Sequence, residues 1–165
     1  MKNGSTTPGK RPAPAGKARV DFGPAARDGP AMTEDYSSTT RGVRVSVRSF
    51  YLEDQSQPEE GRYVWAYRVK IANEGRLPVQ LLRRTWHITD AHGRTQHVHG
   101  AGVVGEQPVL EPGESFEYTS GTPLDTPSGF MVGTYHMVQP DSGEAFDVAI
   151  PAFSLDSPHQ GGGVH

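Results

Sequence analysis

The stretch "RYVWAYRVKIAN" constrains the fold more than any other part of the chain. Tyr63, Trp65, Tyr67, Val69 and Ile71 fall on one side of an extended backbone, and Val64, Ala66, Arg68 and Lys70 on the other. A period of two is the mark of a strand, because on a helix the same residues would be spread around the cylinder. "GVRVSVRSFYL" repeats the device, with Val43, Val45 and Val47 opposed by Arg44, Ser46 and Arg48. Strands of this kind have one dry and one wet face. Further along come "LPVQLL", "TWHITD", "TQHVHG", "SFEYTSG", "GFMVGTYHMV" and "AFDVAIPAF", separated by the turn signals "NEGR", "DAHGR", "EPGE" and "QPDSGE". These make about eight short strands at the spacing of an all-β sandwich or barrel. No segment carries a helical stripe of useful length, and the 20 Gly and 14 Pro among 165 residues agree with many turns.

A chain of this length holds one packed core. It has no Cys, which excludes disulfides, zinc-thiolate sites, iron-sulfur clusters and cysteine nucleophiles. No apolar run approaches the ~20 residues of a membrane helix, and the N-terminus lacks the apolar core of a secretory signal, so a cytoplasmic location without membrane insertion is expected. Up to Arg41 there are seven Lys or Arg against four Asp or Glu; after it there are nine against fifteen, and none of the basic ones lies beyond Arg94. An acidic domain repels the phosphate backbone, so no nucleic-acid partner is expected.

Residues 1–40 are rich in Pro, Gly, Ala and Lys, show no periodicity, and read as a disordered basic leader. Translation from Met32 would remove most of it. The folded domain is expected over 41–157, followed by a frayed tail over 158–165 that ends in "GGGVH".

Gly100, Gly102 and Gly105 stand in the spacing G-x-G-x-x-G of a dinucleotide fingerprint. That motif works by ending a parallel strand and opening a helix whose N-terminus receives a pyrophosphate. Here Pro108 and Pro112 follow, so no helix of three turns can form. Asp125, at the distance of the ribose-binding acid, lies in a turn signal. What remains is a glycine-rich bend between strands, or a nest of amides for an anion, to which Arg83, Arg84 or Arg94 would have to be brought from other strands.

Several runs in this region are together distinctive: Y-V-x-A-Y, P-V-Q-L-L, W-x-I-T, G-x-G-V-V-G-x-Q-P, Y-T-S-G and T-P-x-G-x-M-x-G-x-Y. From about Val43 to Leu155 the sequence closely resembles the ApaG family, while the leader and the glycine tail depart from it. The resemblance implies an immunoglobulin-like or fibronectin type III-like antiparallel β-sandwich. It also implies an association with cobalt tolerance and magnesium efflux, and a recognition role, since the domain recurs in eukaryotic F-box and polymerase-interacting proteins. It implies no established reaction.

The cobalt association directs attention to His97 and His99, two apart on one face of an expected strand. They could hold a transition metal with a third ligand from His87, Asp90, His92 or His136. Glu106, Glu111, Glu114 and Glu117 read as a solvated acidic face. There is no G-x-S-x-G elbow and no Walker A motif, and the C-terminal half has no cation to stabilise a phosphoryl transition state. Trp65, Trp86, Phe116, Tyr118, Phe130 and Phe146 are expected core aromatics, any one of which would mark a binding surface if exposed. The sequence thus points to a non-enzymatic module, without a resident cofactor, that binds a protein partner through sheet edges or end loops. The alternative is a binder of pyrophosphate, nucleotide or divalent metal at the glycine stretch, using Gly100, Gly102, Gly105, Arg83 and Arg84, or His97 and His99. The sequence leaves the oligomeric state open.

Overall fold

The two alternating stretches become neighbouring strands. In the computed structural model, which describes residues 20–23 and 36–159, β3 (Val43–Tyr51) pairs antiparallel with β4 (Tyr63–Asn73) along its whole length. The other strands are β1 (Val20–Gly23), β2 (Tyr36–Thr40), β5 (Val79–Asp90), β6 (Thr95–Ala101), β7 (Val109–Leu110), β8 (Ser115–Leu124), β9 (Gly129–Gln139) and β10 (Glu144–Leu155). They form two antiparallel sheets, ordered β1-β8-β4-β3-β2 and β10-β9-β5-β6, with β7 on the first residues of β5. This is the expected all-β antiparallel sandwich.

The core lies between the sheets. Val43, Val45 and Val47 meet the odd-numbered face of β4, and Tyr67, Trp86 and Phe153 contact one another edge-on or tilted with ring centroids 5.5 to 5.9 Å apart. Geometry of this kind adds to the burial of large aromatic surface. Across the middle, the buried hydroxyls of Tyr118 on β8 and Tyr135 on β9 hydrogen-bond each other and tie the sheets together. The Trp65 indole N–H donates to the Asp156 carbonyl at 2.8 Å.

The structure differs from the sequence expectation in three places. "LPVQLL" and "TWHITD" are one strand, β5, whose inward residues are Val79 and Leu81 before Leu82 and Arg84, Trp86 and Ile88 after it. The phase change is a bulge, seen as a register shift against β9 between Leu81 and Arg83. Second, β1 and β2 lie inside the span expected as leader, so the fold begins before residue 41; the remainder of that span, with Met32, lies outside the described residues. The reason β2 is hard to read is that its inward positions alternate Tyr36, Ser38 and Thr40, and polar groups bond across the seam to β10. Tyr36 reaches the Ser154 hydroxyl at 2.8 Å, and Ser38 and Thr40 bond the Ala149 carbonyl and amide. Third, the start of the span expected as a frayed tail is held: the His159 amide donates to the Ser157 hydroxyl, which itself donates to the Pro127 carbonyl at 2.7 Å, and the His159 ring leans on Tyr51 and Tyr63. Residues 160–165 lie outside the described residues.

Candidate functional site

The glycine stretch links β6 to β7, two short strands that pair with the same edge of β5. Between them β5 makes its bulge, and the exposed Leu82 carbonyl is taken by the Gly102 amide at 2.8 Å and the Gln107 side chain at 2.9 Å. Val103 and Glu106 close the turn by exchanging amide-to-carbonyl bonds. Opposite Gly100 stands Arg84, which is 7% exposed and donates its guanidinium to the carbonyls of Ala101 and Gly102. A Cβ at residue 100 would lie 2.7 Å from that guanidinium. At Gly102, where φ is +62°, a Cβ would run into the Glu106 carbonyl. An anion nest needs amides converging on empty space beside a cation. Here the amides of Gly102, Val103 and Glu106 bond carbonyls, and the cation below the bend is turned towards carbonyls. Arg83 faces outward from β5, opposite Ala101 and His136 in register. Arg94 lies at the far end of β6, away from the bend.

His97 and His99 project from the outer face of β6, but they turn to different neighbours. The His97 ring meets His87 edge-on with centroids 4.5 Å apart. The His99 Nδ1 lies 3.3 Å from the Thr85 hydroxyl, which is 2.8 Å from the His136 Nε2, whose Nδ1 in turn lies 2.9 Å from the Asp147 carboxylate. Asp90 ends β5 and His92 lies in the turn after it. Among the described residues no group of three or more His, Asp or Glu stands close enough to hold a metal ion. Of the expected core aromatics, Trp65, Trp86, Tyr118 and Phe146 are buried and Phe116 packs on the core margin. Phe130 is 46% exposed on the outer face of β9.

Two features of the β6 side were not legible in the sequence. The first is the β6 edge. β10, at the opposite border of the same sheet, is stitched to β2, and the β8 edge is covered by β1, but β6 has no neighbouring strand beyond it among the described residues. Its residues Thr95–Ala101 contain no Pro, Lys, Asp or Glu, the usual devices that discourage strand addition.

The second is a cleft of about 400 Å³ at the Thr95 end of β6, lined by Arg62, Ile88, Arg94, Gln96, Leu124 and Asp125 among others. Arg62 and Asp125 come together because Tyr63 pairs with Leu124, which places the two flanking residues at adjoining strand ends. Asp90 fixes the other wall. Partial burial opposes its ionisation, yet hydrogen bonds from the Arg94 and His92 amides and the Arg94 guanidinium outweigh this and hold the carboxyl below the usual carboxylate range. The sequence signal for this cleft was only charged residues beside turns.

Comparison with known proteins places this architecture. The ApaG domain family profile matches residues 53–139. The chain belongs to the ApaG family. It is 70% identical over 124 residues to Protein ApaG of Rhodospirillum centenum, covering 75% of this chain and 95% of that protein. It is 67% identical over 125 residues to Protein ApaG of Paramagnetospirillum magneticum, covering 76% and 95%. The crystal structure of the ApaA protein from Bordetella pertussis superposes with a TM-score of 0.68 at 50% identity, covering 74% of this chain and 96% of that one. Among the described residues no helix of this ApaG-family chain is long and apolar enough to cross a membrane.

Proposed function

We propose that this ApaG-family protein is a non-catalytic recognition module that receives a protein partner as an added strand on the free edge of β6. The supporting observation is the bare edge itself, seven residues with no neighbour beyond them among the described residues and no charged or Pro residue to discourage pairing. Strand addition draws affinity from main-chain hydrogen bonds and specificity from the alternating side chains. The outer face of β6 offers His97 and His99 for that second purpose. The link to cobalt and magnesium handling would run through the partner, because Arg84 is spent on the carbonyls of the bend and His97 and His99 point to separate neighbours.

Amide exchange tests this reading. The acetylated peptide Thr-Val-Thr-Val-Leu amide, added at millimolar concentration, is expected to slow hydrogen exchange and shift amide resonances within Thr95–Ala101. Changes confined to β2, β10 or the glycine bend would show that another surface is used.

A further inference from the structure

A strand added antiparallel to β6 starts beside Ala101 and ends beside Thr95, where the cleft opens. That direction gives the cleft an occupant. We propose that it captures the C-terminal carboxylate and last apolar side chain of a partner polypeptide; this rests on the β6 reading for the path of the segment, while the capture chemistry stands on the cleft alone.

The anchor is Arg62. It is exposed, and among the described residues its guanidinium makes no hydrogen bond or ion pair, although it lines a cleft with Asp125 at the adjoining strand end. A free guanidinium presents two parallel N–H donors that match a carboxylate. Arg94 is the second cation. Its Nε is committed to Asp90 at 2.9 Å, but its Nη2 lies 3.6 Å from an Asp125 carboxylate that is 71% exposed. That contact is too long for a good hydrogen bond and is readily exchanged for a ligand's oxygen.

The other wall supplies the apolar part. Ile88 and Leu124 are core residues whose outer margins line the cleft, and Gln96, inward in register opposite Ile88, offers an amide to a main-chain group. About 400 Å³ is at the small end of ligand pockets and suits one or two residues. The charges select further. Two arginines face two aspartates, so the site is balanced before anything binds. A single negative charge is accommodated by Arg62, whereas a doubly charged phosphate would also meet Asp125 at close range.

The test uses the whole protein and N-acetyl-leucine, a carboxylate on an apolar stem too short to form a strand. Saturable amide shifts at Gly61, Arg62, Arg94, Gln96 and Asp125 are expected, with affinity at least tenfold above that of N-acetyl-leucinamide. Arg62→Gln, at an exposed position outside the core, is expected to erase that difference while leaving the thermal midpoint unchanged. Equal binding of acid and amide, no saturable shift at these residues, or an acid preference that survives in Arg62→Gln would each overturn the proposal. The two readings fail separately. If the pentapeptide amide perturbs β6 while N-acetyl-leucine leaves the cleft silent, only the cleft proposal falls; in the converse case only strand addition does.

Discussion

Gly102 and Gly105 both have positive φ, yet the two positions differ in what surrounds them. At Gly105 a Cβ meets open space, so Gly105→Ala carries only the cost of a left-handed backbone, about 1 kcal/mol. At Gly102 the Cβ would collide with the Glu106 carbonyl, which is fixed by its bond from Val103, so Gly102→Ala should cost about 2 kcal/mol more. Urea unfolding of the two variants decides it, and equal losses would remove the crowding argument. Tyr135 gives a second residue-scale expectation. Burial, with the adjacent Tyr118 hydroxyl, holds its ionisation well above the ordinary tyrosine range, while an unfolded tyrosine ionises near pH ~10. The unfolded state therefore loses a proton that the folded state keeps, and the stability present below that pH falls as pH rises through it. Tyr135→Phe should lower stability at neutral pH by about 1–3 kcal/mol, because the buried bond between the two hydroxyls is lost, and should flatten the alkaline decline. Denaturation midpoints between pH 8 and 11 measure both effects. Asp90 has the opposite sign. With its carboxyl held below the usual range, the order it gives the turn is present above the ordinary aspartate pKa and is lost as pH falls through the lowered one. The amide resonances of His92 and Arg94 should report that loss.

At the scale of elements, β5 explains most of what the bend does. Its inward residues change from odd to even numbers across Leu82, and the glycine stretch supplies the donors that the bulged Leu82 carbonyl needs. Arg84 takes an inward position where the end of β6 and the bend after it offer the carbonyls of Ala101 and Gly102 to its guanidinium. Gly102 and Gly100 are thus the complements of one bulge and one buried cation, while Gly105 only supplies a left-handed residue to the bend. Pyrophosphate or ATP at millimolar concentration is accordingly expected to leave the Gly100–Gly105 amides unshifted in an NMR titration, and a saturable shift confined to them would revive an anion site there. In the sequence, "LPVQLL" and "TWHITD" read as two strands, since a bulge leaves no mark except a phase change that two separate strands would equally produce.

For the whole molecule, the seam between β2 and β10 decides where the domain starts. Tyr36 packs on the core beside Phe153 and bonds Ser154, while Ser38 and Thr40 bond Ala149. A chain beginning at Met32 keeps all of these contacts, whereas one beginning at Arg41 loses them and bares both β3 and β10. The shorter chain should be less stable by about 3 kcal/mol or more, combining the burial of one Tyr with its cross-seam hydrogen bonds. Thermal unfolding of the two truncated chains checks this, and matching midpoints would mean that β2 is dispensable.

Alternation of side chains fixed by the pleat is a local property, so the long strands and their dry faces could be read from residues 43–51 and 63–73 without any partner in view. The rejection of a dinucleotide site was local too, because two prolines bar the helix that such a site needs. Which strand edge stays bare, that Arg84 lies under the glycines, and that Arg62 and Asp125 line one cleft are matters of register between segments tens of residues apart. Register is set by how the two sheets pack and where the bulges fall, and only the folded chain contains that information.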